Sequence, residues 1–179
     1  MLHKDRMALL VVDFQDRLLP KIPVADKVVA EASRLIEFAT LLDIPIVLTE
    51  QYPKGLGPTV GSMRDALSGI APVEKVTFGC FGDAGFCAAL EATGRSQLLL
   101  TGIETHVCIM QTALGGLDEG YDIYVARDAV ASREKAQHKA GLARMRAAGV
   151  NEVTVEMAMF EALREAGTPA FKSVLPLIR

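Results

Sequence analysis

Short apolar runs alternate along the chain with longer segments in which apolar residues recur at helical spacing. The runs that predict strands are 7–13, 44–49, 74–78, 96–102, 122–126 and 152–156. The segments that predict helices are 25–43, 59–67, 83–94, 105–119, 132–148, 157–164 and 168–175. Near-continuous apolar strands that alternate with amphipathic helices indicate a parallel sheet covered on both faces. We therefore predict an α/β protein with a three-layer doubly wound fold and a mainly parallel sheet of about six strands.

The organisation of the chain predicts one domain. The 179 residues contain no composition shift, Gly/Ser linker or internal repeat, so the predicted domain covers residues 1–179. The longest apolar run, 7–12, has six residues, whereas a membrane span needs roughly 20. No apolar stretch behind a basic N-terminal residue indicates a secretion signal. We therefore expect no association with a membrane.

The charge and the cysteine content of the chain restrict its possible partners and its expected cellular compartment. The chain has 19 basic and 22 acidic residues, a net charge of −3, and no long basic block, which argues against nucleic acid as a partner. Three cysteines without a paired pattern predict a reduced, cytoplasmic protein. The chain has no HxxxH or CxxC spacing, no Walker A motif and no GxGxxG motif. We therefore predict neither a metal nor another cofactor.

Polar residues that leave the predicted strands are the candidates for a site, because ligands bind at the carboxyl ends of parallel strands. Asp13 follows five aliphatic residues and is either a site carboxylate or a turn acid. The polar segment 49–55 after the second strand is either a pocket wall or an ordinary connection. Lys75 is a surface charge unless it lies next to a buried carboxylate, in which case it becomes an ion-pair partner.

Cys108 follows the fourth predicted strand and falls in the first turn of a predicted helix. Free amides and the helix dipole at such a position favour a thiolate, and the same amides can hold an oxyanion. The alternative is a buried cysteine that behaves as a small hydrophobe, which fits Cys80 and Cys87 better. For the neighbouring His106 we expect a capping or surface role, because adjacent residues of a turn point in different directions.

Three stretches of the sequence resemble the isochorismatase-like cysteine hydrolases. They are the strand LLVVDFQ, Lys75 with Phe78, and above all the block GIETHVCIMQTALGGLDEGYDIYVARDAVASR. That superfamily contains isochorismatases, nicotinamidases and N-carbamoylsarcosine amidohydrolase, and the resemblance covers nearly the whole chain. It implies a catalytic triad of Asp13, Lys75 and Cys108.

The resemblance also implies a particular backbone before the nucleophile. A cis peptide is expected between Ile103 and Glu104, and the backbone N–H groups of Glu104 and Cys108 are expected to form an oxyanion hole. The implied activity is that of a cysteine hydrolase, which cleaves a small amide, carbamoyl or ester-like substrate through a thioester on Cys108.

Two other functions stay open. The first is isochorismate-type hydrolysis of a vinyl ether, in which Asp13 transfers the proton and the cysteine is dispensable. The second belongs to another class, a non-catalytic protein that binds a small molecule or takes part in thiol redox chemistry.

The chain departs from the metal-dependent nicotinamidases in one loop. Those enzymes resemble each other in a D-W-H-P sequence after the second strand, where this chain has Glu50-Gln51-Tyr52-Pro53. The missing histidine and aspartate argue against a metal and against nicotinamidase activity. The closer likeness is to small isochorismatase-domain proteins, which implies a homo-oligomer. The segments 157–160 and 169–177 are predicted to dock either on a neighbouring subunit or on their own sheet.

Aromatic residues suggest where the substrate binds. The chain has seven Phe, three Tyr and no Trp, and four of these rings fall close to the proposed catalytic residues. We predict that the four line a mostly apolar cavity over Cys108, although two of them, Phe14 and Phe78, could instead be core residues. The full set of predicted substrate-binding residues is Phe14, Gln51, Tyr52, Phe78, Phe81 and Thr105.

Overall fold

The structure, a computed structural model, describes residues 1–178. Its strands are β1 (Met7–Val12), β2 (Ile46–Gln51), β3 (Val73–Lys75), β4 (Gln97–Ile103), β5 (Asp122–Ala131) and β6 (Asn151–Val153). Its α-helices are α1 (Ala25–Leu41), α2 (Pro53–Leu56), α3 (Gly61–Arg64), α4 (Ala84–Glu91), α5 (Met110–Asp118), α6 (Lys135–Ala147), α7 (Val155–Leu163) and α8 (Pro169–Ile178). A single π-helical turn, Thr105–Ile109, joins β4 to α5.

The six strands form one sheet in the order β3-β2-β1-β4-β5-β6. Every neighbouring pair is parallel, which confirms the predicted three-layer doubly wound α/β fold. The chain first winds outward from β1 to β3, then returns to β4 and winds the other way. The carboxyl ends of β1 and β4 therefore meet at the point where the winding direction reverses, and this is where such sheets bind ligands.

Each face of the sheet carries its own apolar layer. One layer packs against α1, α7 and α8 and includes Leu35, Phe38 and Val174, all with no exposed surface. The other packs against α4, α5 and α6 and includes Phe86 and Met145, also fully buried. The central strands β1 and β4 are buried at every position. A strand covered on both faces needs apolar residues on both sides, which is why these strands read as continuous apolar runs.

The observed boundaries differ from the predicted ones where proline, glycine or a bulge intervenes. β2 begins two residues later than predicted, because Pro45 has no N–H to donate to a neighbouring strand. The predicted helix 59–67 contracts to the four residues of α3. β5 extends five residues further than predicted, because a register irregularity opposite Leu100 and Gly102 lets it resume its pairing with β4.

The C-terminal helices dock on their own chain. Ala158 and Met159 of α7 and Val174 of α8 are fully buried in the layer that contains α1. Two guanidinium nitrogens of Arg34, Nε and Nη2, donate to the carbonyl oxygen of Leu177 at 3.0 and 2.7 Å. These residues dock α7 and α8 on their own sheet, while Met157 and Phe160 of the predicted docking segment stay 48 % and 45 % exposed. Within residues 1–178, no helix is long and apolar enough to cross a membrane.

Candidate active site

A buried ion pair lies at the carboxyl ends of β1 and β3. The Lys75 ammonium donates to Oδ2 of Asp13 at 2.8 Å, and neither side chain has exposed surface. The other carboxylate oxygen, Oδ1, accepts from the hydroxyl of Thr49 at 2.7 Å. Asp13 has a left-handed backbone with φ of 58°, a conformation that aspartate adopts more readily than most residues. Both oxygens of the carboxylate are thus held by side chains of other strands.

A second set of polar contacts fixes Lys75. Oε1 of Gln51 accepts from Nζ at 2.7 Å, and the carbonyls of Thr77 and Phe78 lie 3.2 Å from the same nitrogen. Gln51 is in turn held by Gln15, whose Oε1 accepts from the Gln51 amide at 2.8 Å. Gln51 was predicted to bind substrate. In the structure its side chain orients the lysine.

Cys108 lies in the π-helical turn that follows β4, and only 6 % of its surface is exposed. The sequence predicted a continuous helix over 105–119, and the structure divides it into this turn and α5. The peptide bond between Ile103 and Glu104 is cis, as the resemblance implied. Gly102 precedes it at φ 149°, and a Cβ there would lie 2.2 Å from the carbonyl oxygen of Val12. Glycine is therefore required where β4 passes closest to β1.

The charges of this cluster determine its protonation. The pKa of the Cys108 thiol lies well above its ordinary value. Burial is the largest cause, followed by the charge of Asp13 and a hydrogen bond to Asp13, while Lys75 acts in the opposite direction. Burial alone would lower the pKa of Lys75, but Asp13 and Cys108 raise it. The resting site therefore holds a protonated thiol beside an ion pair. Burial and the neighbouring carboxylate oppose the expectation that the first helical turn stabilises a thiolate.

A second thiol lies close to the first. Cys80 is fully buried, and burial raises its pKa to about 11, with Lys75 as the largest opposing influence. Its amide donates to the hydroxyl of Thr112 at 3.0 Å. Cys80 thus fits the expectation of a buried, protonated cysteine, although the sequence did not indicate that it borders Lys75.

The structure does not bring the four predicted aromatic residues together over Cys108. Phe14 has no exposed surface and belongs to the core layer that contains α1, so it does not line an open cavity. Phe81 packs edge-on against Phe86 at 5.3 Å between ring centroids and lies 5.7 Å from the Tyr121 ring. Phe14 is thus a core residue, which is the alternative that the sequence left open, whereas a substrate contact of Phe81 stays a prediction.

Tyr52 and Phe78 remain at the surface beside the ion pair. They are 54 % and 55 % exposed, and the adjacent Val76 is 73 % exposed. The amide of Tyr52 donates to the carbonyl of Lys75 at 2.8 Å, so these side chains flank the lysine. Together we call Tyr52, Val76 and Phe78 the exposed apolar patch.

Glu104 ties the end of β4 to the segment after β5. Its carboxylate accepts from the Arg133 amide at 2.8 Å and from the Arg133 Nε at 3.1 Å, and only 6 % of Glu104 is exposed. This ion pair fixes the residue whose amide was predicted to contribute to an oxyanion hole.

Thr105 is fully buried, and its hydroxyl lies 2.9 Å from Nδ1 of His138 on α6. The substrate contact of Thr105 stays a prediction, and the structure adds a contact to a histidine for which the sequence predicted no role. His106, predicted to cap or face solvent, pairs instead with Ser132, with 2.9 Å between Nδ1 and Oγ. Backbone contact between α6 and the turn is possible because residue 141 is glycine, where a Cβ would lie 2.9 Å from the His106 Cα.

Sequence reasoning missed several polar residues of this region. Thr49 carried a usable signal, since a polar residue at the end of a buried strand requires a partner. Gln15, Thr112, Ser132 and His138 carried none, because their partners come from distant segments. Within residues 1–178, no group of three or more His, Cys, Asp or Glu side chains is arranged to hold a metal ion.

The fold and the site together define a class: doubly wound α/β proteins with a cysteine, a carboxylate and a lysine gathered where the strand order reverses. Residues 7–157 match the Isochorismatase domain, and the chain belongs to this family of isochorismatase-like hydrolases.

Relatives of known sequence and structure agree with this assignment. The chain is 41 % identical over 176 residues to isochorismatase domain-containing protein 2A of Mus musculus, covering 96 % of this chain and 82 % of that protein. It is similar to the MAR1 ribonuclease of Caenorhabditis elegans, with a TM-score of 0.93, 31 % identity and coverage of 99 % and 91 % of the two chains.

Two YcaC proteins are also similar. The Pseudomonas aeruginosa protein, described with hexane-2,5-diol and covalent acrylamide, has a TM-score of 0.89, 27 % identity and coverage of 98 % and 90 %. The Escherichia coli protein, described as an octameric hydrolase of unknown specificity, has a TM-score of 0.89, 26 % identity and coverage of 98 % and 89 %.

Proposed function

We propose that the protein is a cysteine hydrolase that cleaves a small amide, carbamoyl or ester-like substrate through a thioester on Cys108. The observation that carries this proposal is the buried cluster at the edge of the sheet, where Cys108 lies near enough to the Asp13 carboxylate for its charge to raise the thiol pKa, and where Lys75 and Thr49 hold that carboxylate. A nucleophile, a base within reach of its proton and a group that orients the base are the parts that nucleophilic catalysis requires.

In the proposed reaction, Asp13 takes the thiol proton as the Cys108 sulfur attacks the carbonyl carbon. The backbone N–H groups of Glu104 and Cys108 donate to the developing oxyanion, and one such donor typically contributes about 3 kcal/mol. Asp13 then gives the proton to the leaving amine or alcohol, and the thioester remains. Water next loses a proton to Asp13 and attacks the thioester, which releases the acid and restores the thiol. Lys75 stays protonated throughout and keeps Asp13 in place.

The raised pKa of Cys108 suits this order of events. A thiol that keeps its proton at rest is activated only when a substrate carbonyl is in place and the proton can pass to Asp13. The covalent acrylamide of the P. aeruginosa protein supports the proposal, since acrylamide is an electrophile that reacts with thiols.

The test is a screen of amides, carbamoyl compounds, activated esters and isochorismate with the wild type, Cys108→Ala and Asp13→Asn. We expect intact-mass spectrometry to detect an acyl adduct on Cys108 with an active substrate, and both variants to lose turnover. Full activity of Cys108→Ala on isochorismate would instead select vinyl ether hydrolysis by Asp13. No adduct and no turnover with any compound would favour the non-catalytic alternative.

We also propose that nucleic acid is not the substrate, although one structural relative is named a ribonuclease. The net charge of −3 provides no excess of cations for a phosphate backbone. Asp13, Lys75 and Cys108 expose at most 6 % of their surface each, which suits a small substrate better than a polymer. Incubation with RNA provides the check, and cleavage that disappears in Cys108→Ala or Asp13→Asn would contradict this part of the proposal.

We further propose a homo-oligomer, supported by the octameric state of the E. coli relative. The exposed apolar patch beside Lys75 is a candidate for part of its interface, since large exposed apolar side chains often mark sites of association. Light scattering after size exclusion should show a mass of several chains. Val76→Glu, which places a charge on the most exposed residue of the patch, should reduce that mass.

A further inference from the structure

A cavity of about 350 Å³ lies between the end of β5, the first turns of α6 and the segment before α1. It is lined by Pro23, Val24, Val130, Ala131, Ser132, Lys135 and His138. Its volume is at the lower end of the roughly 300–1,000 Å³ typical of small-molecule sites. Four of its seven lining residues are apolar, and three polar residues lie together at the α6 side. We call this space the α6 cavity.

Two hydrogen bonds connect the α6 cavity to the turn that carries Cys108. Nδ1 of His138 lies 2.9 Å from the Thr105 hydroxyl, and Oγ of Ser132 lies 2.9 Å from Nδ1 of His106. Thr105 and His106 are consecutive residues of the π-helical turn that contains the nucleophile. The cavity wall is therefore hydrogen-bonded to the turn that contains Cys108.

The register of the sheet places the cavity next to the predicted oxyanion hole. Val130 and Ala131 of β5 are the Cα partners of Gly102 and Ile103 of β4, directly before Glu104. Val130 and Ala131, which line the α6 cavity, therefore lie one strand away from the cis peptide that precedes the predicted oxyanion hole.

The polar side chains that line the α6 cavity determine which ligand groups it can bind. Burial, with Arg127 nearby, lowers the pKa of His138, so its ring is neutral at pH 7 and has one donor and one acceptor nitrogen. When Nδ1 accepts from the Thr105 hydroxyl, Nε2 carries the proton and can donate. The exposed Lys135 ammonium adds donors at the rim.

We propose that the α6 cavity is the subsite that selects the acyl group of the substrate. It would take a short apolar segment that ends in a hydrogen-bond acceptor such as a carbonyl oxygen. This inference rests on the proposed function of Cys108 and adds the class of acyl group.

Three activated esters test the proposal: 4-nitrophenyl acetate, 4-nitrophenyl pentanoate and 4-nitrophenyl 4-oxopentanoate. The latter two have chains of equal length and differ in the acceptor. Release of nitrophenolate is measured together with the acyl adduct on Cys108 by intact mass, and the rate of Cys108→Ala is subtracted. We expect kcat/KM to rise by about tenfold or more from acetate to pentanoate and to rise again for 4-oxopentanoate.

Two variants separate the contributions of size and acceptor. Val24→Trp places a large ring at a position that is 51 % exposed and lines the cavity, and should remove most of the preference for pentanoate over acetate. His138→Leu removes the donor and should remove the preference for 4-oxopentanoate over pentanoate. The matched control is Leu41→Trp, at the other end of α1 and 43 % exposed, which should leave both ratios unchanged.

The failure of this inference differs from the failure of the proposed function. Acylation of Cys108 by all three esters with ratios that neither cavity variant changes would overturn the subsite and leave the nucleophile in place. No acylation of Cys108 by any of the esters would overturn the proposed function itself.

Discussion

Replacing Lys75 with methionine tests how strongly the buried ion pair supports the fold and the site. The side chains of Lys75 and Asp13 are fully buried and 2.8 Å apart. Methionine preserves most of the volume and removes the charge. The Asp13 carboxylate then retains the hydrogen bond from Thr49, while Oε1 of Gln51 loses its donor. Removing one partner of a buried pair typically costs about 3–5 kcal/mol, a large part of the roughly 5–15 kcal/mol that stabilises a domain.

The size of this loss should depend on the charge of Asp13. In the double variant Asp13→Asn, Lys75→Met the charge is absent at every pH, so we expect recovery of about 1–3 kcal/mol relative to Lys75→Met alone.

The assay is urea unfolding followed by circular dichroism at one fixed protomer concentration, because association changes apparent stability. Lys54→Met is the matched control, since Lys54 is exposed and its replacement should change stability by less than about 0.5 kcal/mol. A loss below about 1 kcal/mol for Lys75→Met, or no recovery in the double variant, would refute the reasoning.

Three further predictions concern the Cys108 thiol, the close contact of Gly102 with Val12, and the N-cap of α4. Because burial and a neighbouring carboxylate raise the pKa of Cys108, its alkylation by iodoacetamide should still accelerate at about pH 9, beyond the ordinary cysteine pKa; a plateau below pH 8 would contradict this. Gly102→Ala should destabilise by about 2 kcal/mol or more in urea unfolding, since the new Cβ meets the Val12 carbonyl at 2.2 Å; a neutral result would oppose it. Asp83→Ala should cost about 1 kcal/mol in the same assay, because Asp83 caps α4, and should leave activity unchanged.

The sequence by itself determined the class of fold. The apolar runs and the helical spacing of apolar residues are local periods of the sequence. The strands and helices that they predict occur in the same order in the structure. Parallel strands end at one edge of the sheet, which is why the polar residues that follow them were the candidates for a site. Asp13, Lys75 and Cys108 are indeed gathered at that edge, although their roles in catalysis stay a proposal.

Only the tertiary structure decided which side chains touch. The hydrogen bond from Lys75 to Asp13 spans 62 positions and the contact between Thr105 and His138 spans 33, and no local period encodes either distance. The same applies to Phe14, whose neighbours made it a core residue. The protonation of Cys108 is also collective, because burial and the nearby carboxylate act only after the sheet has closed around the thiol. Desolvation and long-range contacts arise only when the chain is packed, whereas the periodicity of apolar residues is present in the sequence itself.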